Sequence, residues 1–181
     1  AAEHLPVCVV RPAWIYGPGD EVILPSVVRF LRAPGARWLG KSDASADPIY
    51  VTDVADCALR VALHPAAVGQ AYNASPSRRI SNREFLGLLC ERLNIPTLSR
   101  TAPYTLATMA AHASEWWALL TMRPTAPTIT RAGVAILTED VRYDPAKAHR
   151  ELGWQARVEL AEGVENTARW PSDFKGFTAR L

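Results

Sequence analysis

The sequence lacks the markers of several large protein classes. Only three of its 181 residues are cysteine (Cys8, Cys57 and Cys90), far apart and without a CxxC pair. That excludes a disulfide-stapled scaffold and a cysteine-rich zinc site, and the three read as buried free thiols. Ala1 to Pro6 has neither the basic start nor the apolar run of a secretory signal, so a cytoplasmic setting is expected. Without that signal the sequon Asn73-Ala74-Ser75 carries no weight. No run of about 20 predominantly apolar residues is present, so no transmembrane segment is expected. The most apolar stretch, Tyr104 to Met122, contains His112, Ser114 and Glu115. It reads as a buried or partly buried packing helix, able to cover an apolar pocket or touch a membrane surface. Charge of one sign is missing too: 20 Lys+Arg stand against 18 Asp+Glu. This balance gives no electrostatic reason to expect nucleic acid as a partner.

Familiar catalytic patterns are also absent. The histidines, at 4, 64, 112 and 149, are scattered, and His112 with Glu115 is too small a set for a metal site. No metal is expected. There is no GxSxG elbow and no P-loop. Gly17-Pro18-Gly19 is followed at 22 by valine, so the dinucleotide glycine fingerprint is missing. Tyr143 and Lys147 have a Tyr-x-x-x-Lys spacing, which works only when both lie on one continuous helix. Asp144 should cap a helix there and Pro145 start it, leaving Tyr143 outside. The pair reads as a decoy.

What remains is an apolar fraction of 49%, six tryptophans and fourteen prolines. Pro6 to Val10 is a β-branched apolar run, suited to a strand buried on both faces. Val22 to Leu31 reads as a helix after the turn Tyr16 to Asp20. Ile49 to Val51 is a second β run, and Asp53 should cap the next helix, whose apolar residues are Val54, Leu59, Val61 and Leu63. Gln70 to Ala74 reads as a strand. Ser81-x-x-Glu84 is a capping box opening a helix, and Arg78, Arg79 and Arg83 beside it read as a solvated face. Short helices are expected near 128–137, after Pro145 up to Gly153, and at about 161–170. Strand and helix alternate in the first half; the second half is mostly helical.

Taken together, these segments carry a resemblance. Arg11 to Asp20 (RPAWIYGPGD) is similar to the "RPxxIYGPGD" segment of the extended short-chain dehydrogenase/reductase family, the NAD-dependent epimerase/dehydratase superfamily. Ile49 to Ala55 (IYVTDVA), Gly69 to Asn73 (GQAYN), Ile80 to Phe85, Lys147 to Trp154 and Glu162 to Trp170 resemble its later segments, in order. The resemblance covers almost the whole chain but only the family's C-terminal half. It implies an α/β fold: the C-terminal part of a Rossmann-type doubly wound sheet plus a mostly helical substrate-binding lobe. The last Rossmann strands would lie near 6–11 and 49–64, interleaved with the lobe at 17–46 and 70–181. Pro6 to Val10 would then have no strand neighbour within the chain. The glycine loop and the catalytic Tyr and Lys would belong to an N-terminal Rossmann half, the expected partner, without which this chain would be catalytically silent. A homodimer is a further expectation.

Two departures narrow the implied substrate. Relatives acting on nucleotide-diphosphate sugars carry an Asn where this chain has Trp14, and an Arg where it has Ala46. Indole and methyl groups suit an apolar ligand rather than a diphosphate. The resemblance therefore points to the 3β-hydroxysteroid dehydrogenase-like branch. Its members are NAD(P)-dependent oxidoreductases of a hydroxyl or keto group on a steroid-like or acyl substrate. The alternatives are a nucleotide-sugar epimerase/dehydratase or a non-catalytic binding module. By the same resemblance, Pro12, Ala13 and Ile15 would contact the nicotinamide of NAD or NADP. Trp14, Tyr16, Leu24, Tyr50, Trp116 and Trp117 would line or lid the substrate site.

Overall fold

The computed structural model describes residues 6–40, 44, 45, 47–122, 127 and 129–170. Ala46, Thr128 and Pro124 to Ala126 lie outside the described residues. Strand β1 (Val9–Pro12) pairs in parallel with β5 (Ala71–Ala74), in the register Val9 opposite Ala71 and Pro12 opposite Ala74. The register is locked at both ends, where Gly69 N–H donates to the Val7 carbonyl and Ala13 N–H to the Ala74 carbonyl. Two shorter parallel pairs follow. β2 (Ile15–Tyr16) joins β4 (Ile49–Tyr50), and β3 (Trp38–Leu39) joins β6 (Thr101–Ala102). Seven α-helices are present among the described residues: α1 (Ile23–Arg32), α2 (Val51–Leu63), α3 (Asn82–Arg92), α4 (Tyr104–Leu120), α5 (Arg131–Thr138), α6 (Ala146–Leu152) and α7 (Leu160–Arg169). The chain is α/β, as its alternating pattern suggests.

The apolar run at 6–10 departs from expectation in two ways. It has a strand neighbour, β5, taken from a segment assigned on sequence to the lobe. It is also not buried on both faces: Val9 is 43% exposed and Val7 56%. Val10 and Cys8 pack inward against Ile49, Cys57, Val61 and Tyr72, so one face and one edge are covered. Within the 49–64 segment the strand is only two residues long and pairs with β2, while the rest is helix.

Helix α2 begins three residues earlier than the Asp53 signal suggests, with Tyr50 as its N-cap. Asp53 lies inside the first turn, where the helix dipole favours an anion. Its two buried carboxylate oxygens accept the Arg157 and Val158 N–H groups, each at 3.1 Å, tying the segment before α7 to α2. Cys57 and Val61 face inward, one turn apart, whereas Leu59 and Leu63 are exposed.

Other local signals hold more closely. Asp20 accepts from the Val22, Ile23 and Leu24 N–H groups and so satisfies the first turn of α1. Ser81 Oγ caps α3 by accepting Glu84 N–H at 3.1 Å. Glu84 does not complete the capping box, because its carboxylate is held by Arg78 at 2.7 and 3.1 Å. Arg79 pairs with Asp140 and Arg83 stacks over the Trp38 ring, so this cluster is the solvated face expected, with its side chains anchored by local partners. Asp144 accepts Ala146 N–H at the start of α6, and Gly153 ends that helix at φ 59°.

Two apolar cores result. The larger joins α1 and α3 through Trp14, Tyr16, Leu24, Phe30, Phe85 and Leu89. The other lies under the β1–β5 pair and is closed by Leu152 and Trp154. Helix α4 is attached by a narrow seam in which Ala107 and Ala111 meet Val134 of α5. Its large side chains point outward, so of the two expectations, buried or partly buried packing helix, the second describes it. No described helix is long and apolar enough to cross a membrane.

Candidate functional site

Gly17 sets the geometry at the end of β2. It adopts φ 143°, and a Cβ there would stand 2.6 Å from Val51 Cγ1, so only glycine lets the turn approach α2. The turn delivers Asp20 to α1, and α1 then lies alongside the segment Pro12-Ala13-Trp14. On α1, Ile23, Val27 and Phe30 form one stripe at i, i+4 and i+7. Facing it from α5 are Gly133, Ile136 and Leu137. Between the two helices lies an apolar cavity of about 290 Å³.

A second cavity, of about 310 Å³, is lined by Pro12, Ala13, Trp14, Ala135, Val141 and Tyr143 among others. Ile23 and Ile136 belong to the walls of both cavities, so the two adjoin across this pair, as two parts of a trough that these side chains divide. A third, polar cavity of about 560 Å³ adjoins at Tyr143 and carries Arg78 and Arg142 against Asp47 and Asp144. Its charges offset each other, and Arg78 is already held by Glu84.

The structure thus brings together Pro12, Ala13 and Trp14 of the expected site residues. Trp14 is nearly buried, edge-on to Phe85 at 5.1 Å, and its Nε1 has no hydrogen-bond partner. Ile15 does not reach the trough; it packs toward the core under β1. Tyr16, Leu24 and Tyr50 lie in the apolar core behind Trp14 and line none of these three cavities. Tyr16 sits edge-on between Tyr50 and Phe85, at 5.5 and 4.9 Å, and Leu24 is fully buried. Burial, reinforced by the Asp53 charge, pushes the Tyr16 phenol well above its ordinary pKa, so it stays neutral. Trp116 and Trp117 also miss the trough; they stand on the outer face of α4, 65% and 59% exposed.

The other candidates resolve structurally. Tyr143 lies before α6 begins, while Lys147 Nζ donates to Gln70 Oε1 at 2.7 Å and sits over the Tyr72 ring, so the lysine is engaged elsewhere. Glu115 accepts from the Arg131 backbone N–H and guanidinium at 2.7 and 2.6 Å, which holds its carboxyl below the usual range. Among the described residues no cluster of His, Cys, Asp or Glu has a metal-binding arrangement. Sequence reasoning missed Ile23, Ile136 and Arg29. The α1 stripe was visible as a helical period, but its pairing with α5 spans more than a hundred residues.

Comparison with known proteins agrees with this architecture. Residues 1–101 match the family model described as the 3-beta hydroxysteroid dehydrogenase/isomerase family. A ketoreductase of Stigmatella aurantiaca, acting on a 4-hydroxy-2-methyl-3-oxo-4-farnesyl-3,4-dihydroquinoline-1-oxide, is 30% identical over 158 residues, covering 87% of this chain and 47% of that protein. An epimerase from Methanothermobacter thermautotrophicus superposes with a TM-score of 0.67 at 18% identity, over 97% of this chain and 46% of that one. The RMD structure from Pseudomonas aeruginosa, complexed with NADPH, gives 0.57 at 21% identity over 94% and 48%. At such identities these structures show a shared Rossmann-type fold alone. The chain spans about half the length of the curated relatives it matches.

Proposed function

Because the chain belongs to the 3-beta hydroxysteroid dehydrogenase/isomerase family, we propose that it supplies the substrate trough of an NAD(P)-dependent oxidoreductase. The reaction is hydride transfer at a hydroxyl or keto carbon of an apolar, steroid-like or acyl substrate. The observation that carries this reading is the pair of adjoining cavities, one at Pro12, Ala13 and Trp14 and the other, apolar, in the α1–α5 cleft.

In this reading Pro12 and Ala13 present backbone to the nicotinamide carboxamide, and Ile15 supports them from β2. The cofactor supplies the hydride when bound. Trp14 closes the floor beside it, and Ile23 and Ile136 grip the carbon skeleton and exclude water from the reacting end. The tyrosine and lysine that handle the proton come from an N-terminal cofactor-binding half. Two observations favour such a half: the shared coverage of relatives, and β1, which among the described residues pairs on one edge only. Without it the chain turns nothing over.

The nucleotide-sugar alternative is disfavoured by Trp14, whose buried indole occupies the place where a diphosphate would need polar donors. The test is steady-state turnover by the full-length protein with NADH or NADPH. Steroid ketones and long-chain acyl ketones should be reduced and a UDP-hexose ignored. Turnover of the UDP-hexose in preference to the ketones rejects the reading.

A further inference from the structure

The apolar cavity between α1 and α5 contains one charged side chain. Arg29 lines it from the last turn of α1, in a wall otherwise built of groups such as Val27, Phe30, Leu39 and Leu137. A cation at a helix C-terminus is favoured by the dipole, which explains a basic residue in that turn. It does not explain the state of the side chain. Arg29 Nε is buried and donates to nothing, and among the described residues Arg29 takes part in no ion pair. Buried guanidinium donors are normally satisfied, and an orphaned one costs on the order of 1–3 kcal/mol or more.

Neither of the two other polar side chains in the wall bonds to Arg29 Nε. Ser26 Oγ donates to the Val22 carbonyl at 3.0 Å, and Thr130 Oγ1 accepts Gly133 N–H at 3.0 Å, each turned to its own helix. An acceptor arriving with a ligand fits the unpaired donor.

We propose that Arg29 is a specificity residue that binds a carboxylate carried on the far end of the apolar substrate. The choice of a monoanion follows from the wall, which offers a single cation among apolar groups. The distance follows from the helix. Ile23, at the junction with the reacting end, and Arg29 are six residues apart, about 9 Å of helix rise. The carboxylate therefore lies well along the chain from the reacting carbon, at a separation on the order of that rise, not adjacent to it. The placement of the reacting end rests on the oxidoreductase reading above; the carboxylate site itself does not.

Two arms separate these claims, both using the full-length protein. In the binding arm, calorimetry compares decanoate with decan-1-ol. Decanoate should bind about ten- to a hundredfold more tightly, as a charge-assisted bond predicts, and R29Q should bring the two together while R29K restores part of the preference. A132W, which fills the cavity from α5, should weaken both. Equal binding of acid and alcohol, or a preference untouched by R29Q, overturns the proposal. In the turnover arm, 9-oxodecanoate should exceed decan-2-one in kcat/KM by a similar factor, whereas 3-oxodecanoate, with its acid beside the ketone, should show no advantage. If the binding preference holds and no ketone is reduced, the oxidoreductase reading fails and the carboxylate site stands.

Discussion

Ile23 of α1 and Ile136 of α5 stand together between two adjoining cavities, one beside Pro12 and Ala13 and the other in the cleft beyond. The proposal requires one substrate to pass between these two side chains.

The first prediction tests it by obstruction. Ile136→Trp places an indole across the junction without adding charge. In the full-length protein, kcat/KM for a long acyl ketone should fall at least tenfold, while a ketone short enough to stay beside Pro12 should lose much less. Rates measured across a series of chain lengths check this. An equal loss at every length would mean that the side chain matters for folding rather than for the path.

A second prediction concerns the close approach of α7. A Cβ on Gly163 would collide with the Tyr16 hydroxyl and come within 3.0 Å of Tyr50 Cδ2. Both rings are wedged against Phe85 or each other and have little room to yield. Gly163→Ala should therefore cost about 1–3 kcal/mol despite its better helix propensity, read as a lowered denaturation midpoint.

Asp53 offers a third. Its carboxylate accepts two backbone N–H groups from 157 and 158 in a buried setting. Asp53→Ala removes both acceptors and should destabilise by about 2–4 kcal/mol, while Asp53→Asn, which keeps one, should cost less. Hydrogen exchange at the Arg157 and Val158 amides should accelerate in both variants.

The thiols give a fourth, through pH. Burial pushes the Cys57 thiol up to about 11, and Cys90 is raised for the same reason. The thiolate is the reactive form, so at pH 8 both remain protonated as well as inaccessible. Iodoacetamide followed by mass spectrometry should label Cys8, which is only partly buried, well before either. Early labelling of Cys57 would contradict the packing under β1.

Much of the fold was legible because its signals are local. Ser81 caps α3, Gly153 closes α6 and Pro145 keeps Tyr143 off that helix, each as its chemistry requires. The failures share a cause, since burial depends on what lies opposite. Val7 and Val9 have the composition of a doubly buried strand, yet only β5 flanks them. Leu59 and Leu63 look like a core face and point outward, and Trp116 and Trp117 look like a lid yet ride on the outside of α4. Tyr16 and Tyr50 are polar-tipped aromatics, equally suited to a pocket or a core, and their packing against Gly163 is invisible in the sequence. Arg29 carried no signal at all, because a lone arginine near a helix end becomes unusual only once its empty surroundings are known.

The most direct test of the account is a structure of the full-length protein with a nicotinamide cofactor and an apolar ketone bound. The nicotinamide should contact the backbone at Pro12 and Ala13, with the ketone carbonyl beside it and the chain running between Ile23 and Ile136. A ketone bound instead against Trp116 and Trp117, or a nicotinamide remote from Pro12, would contradict it.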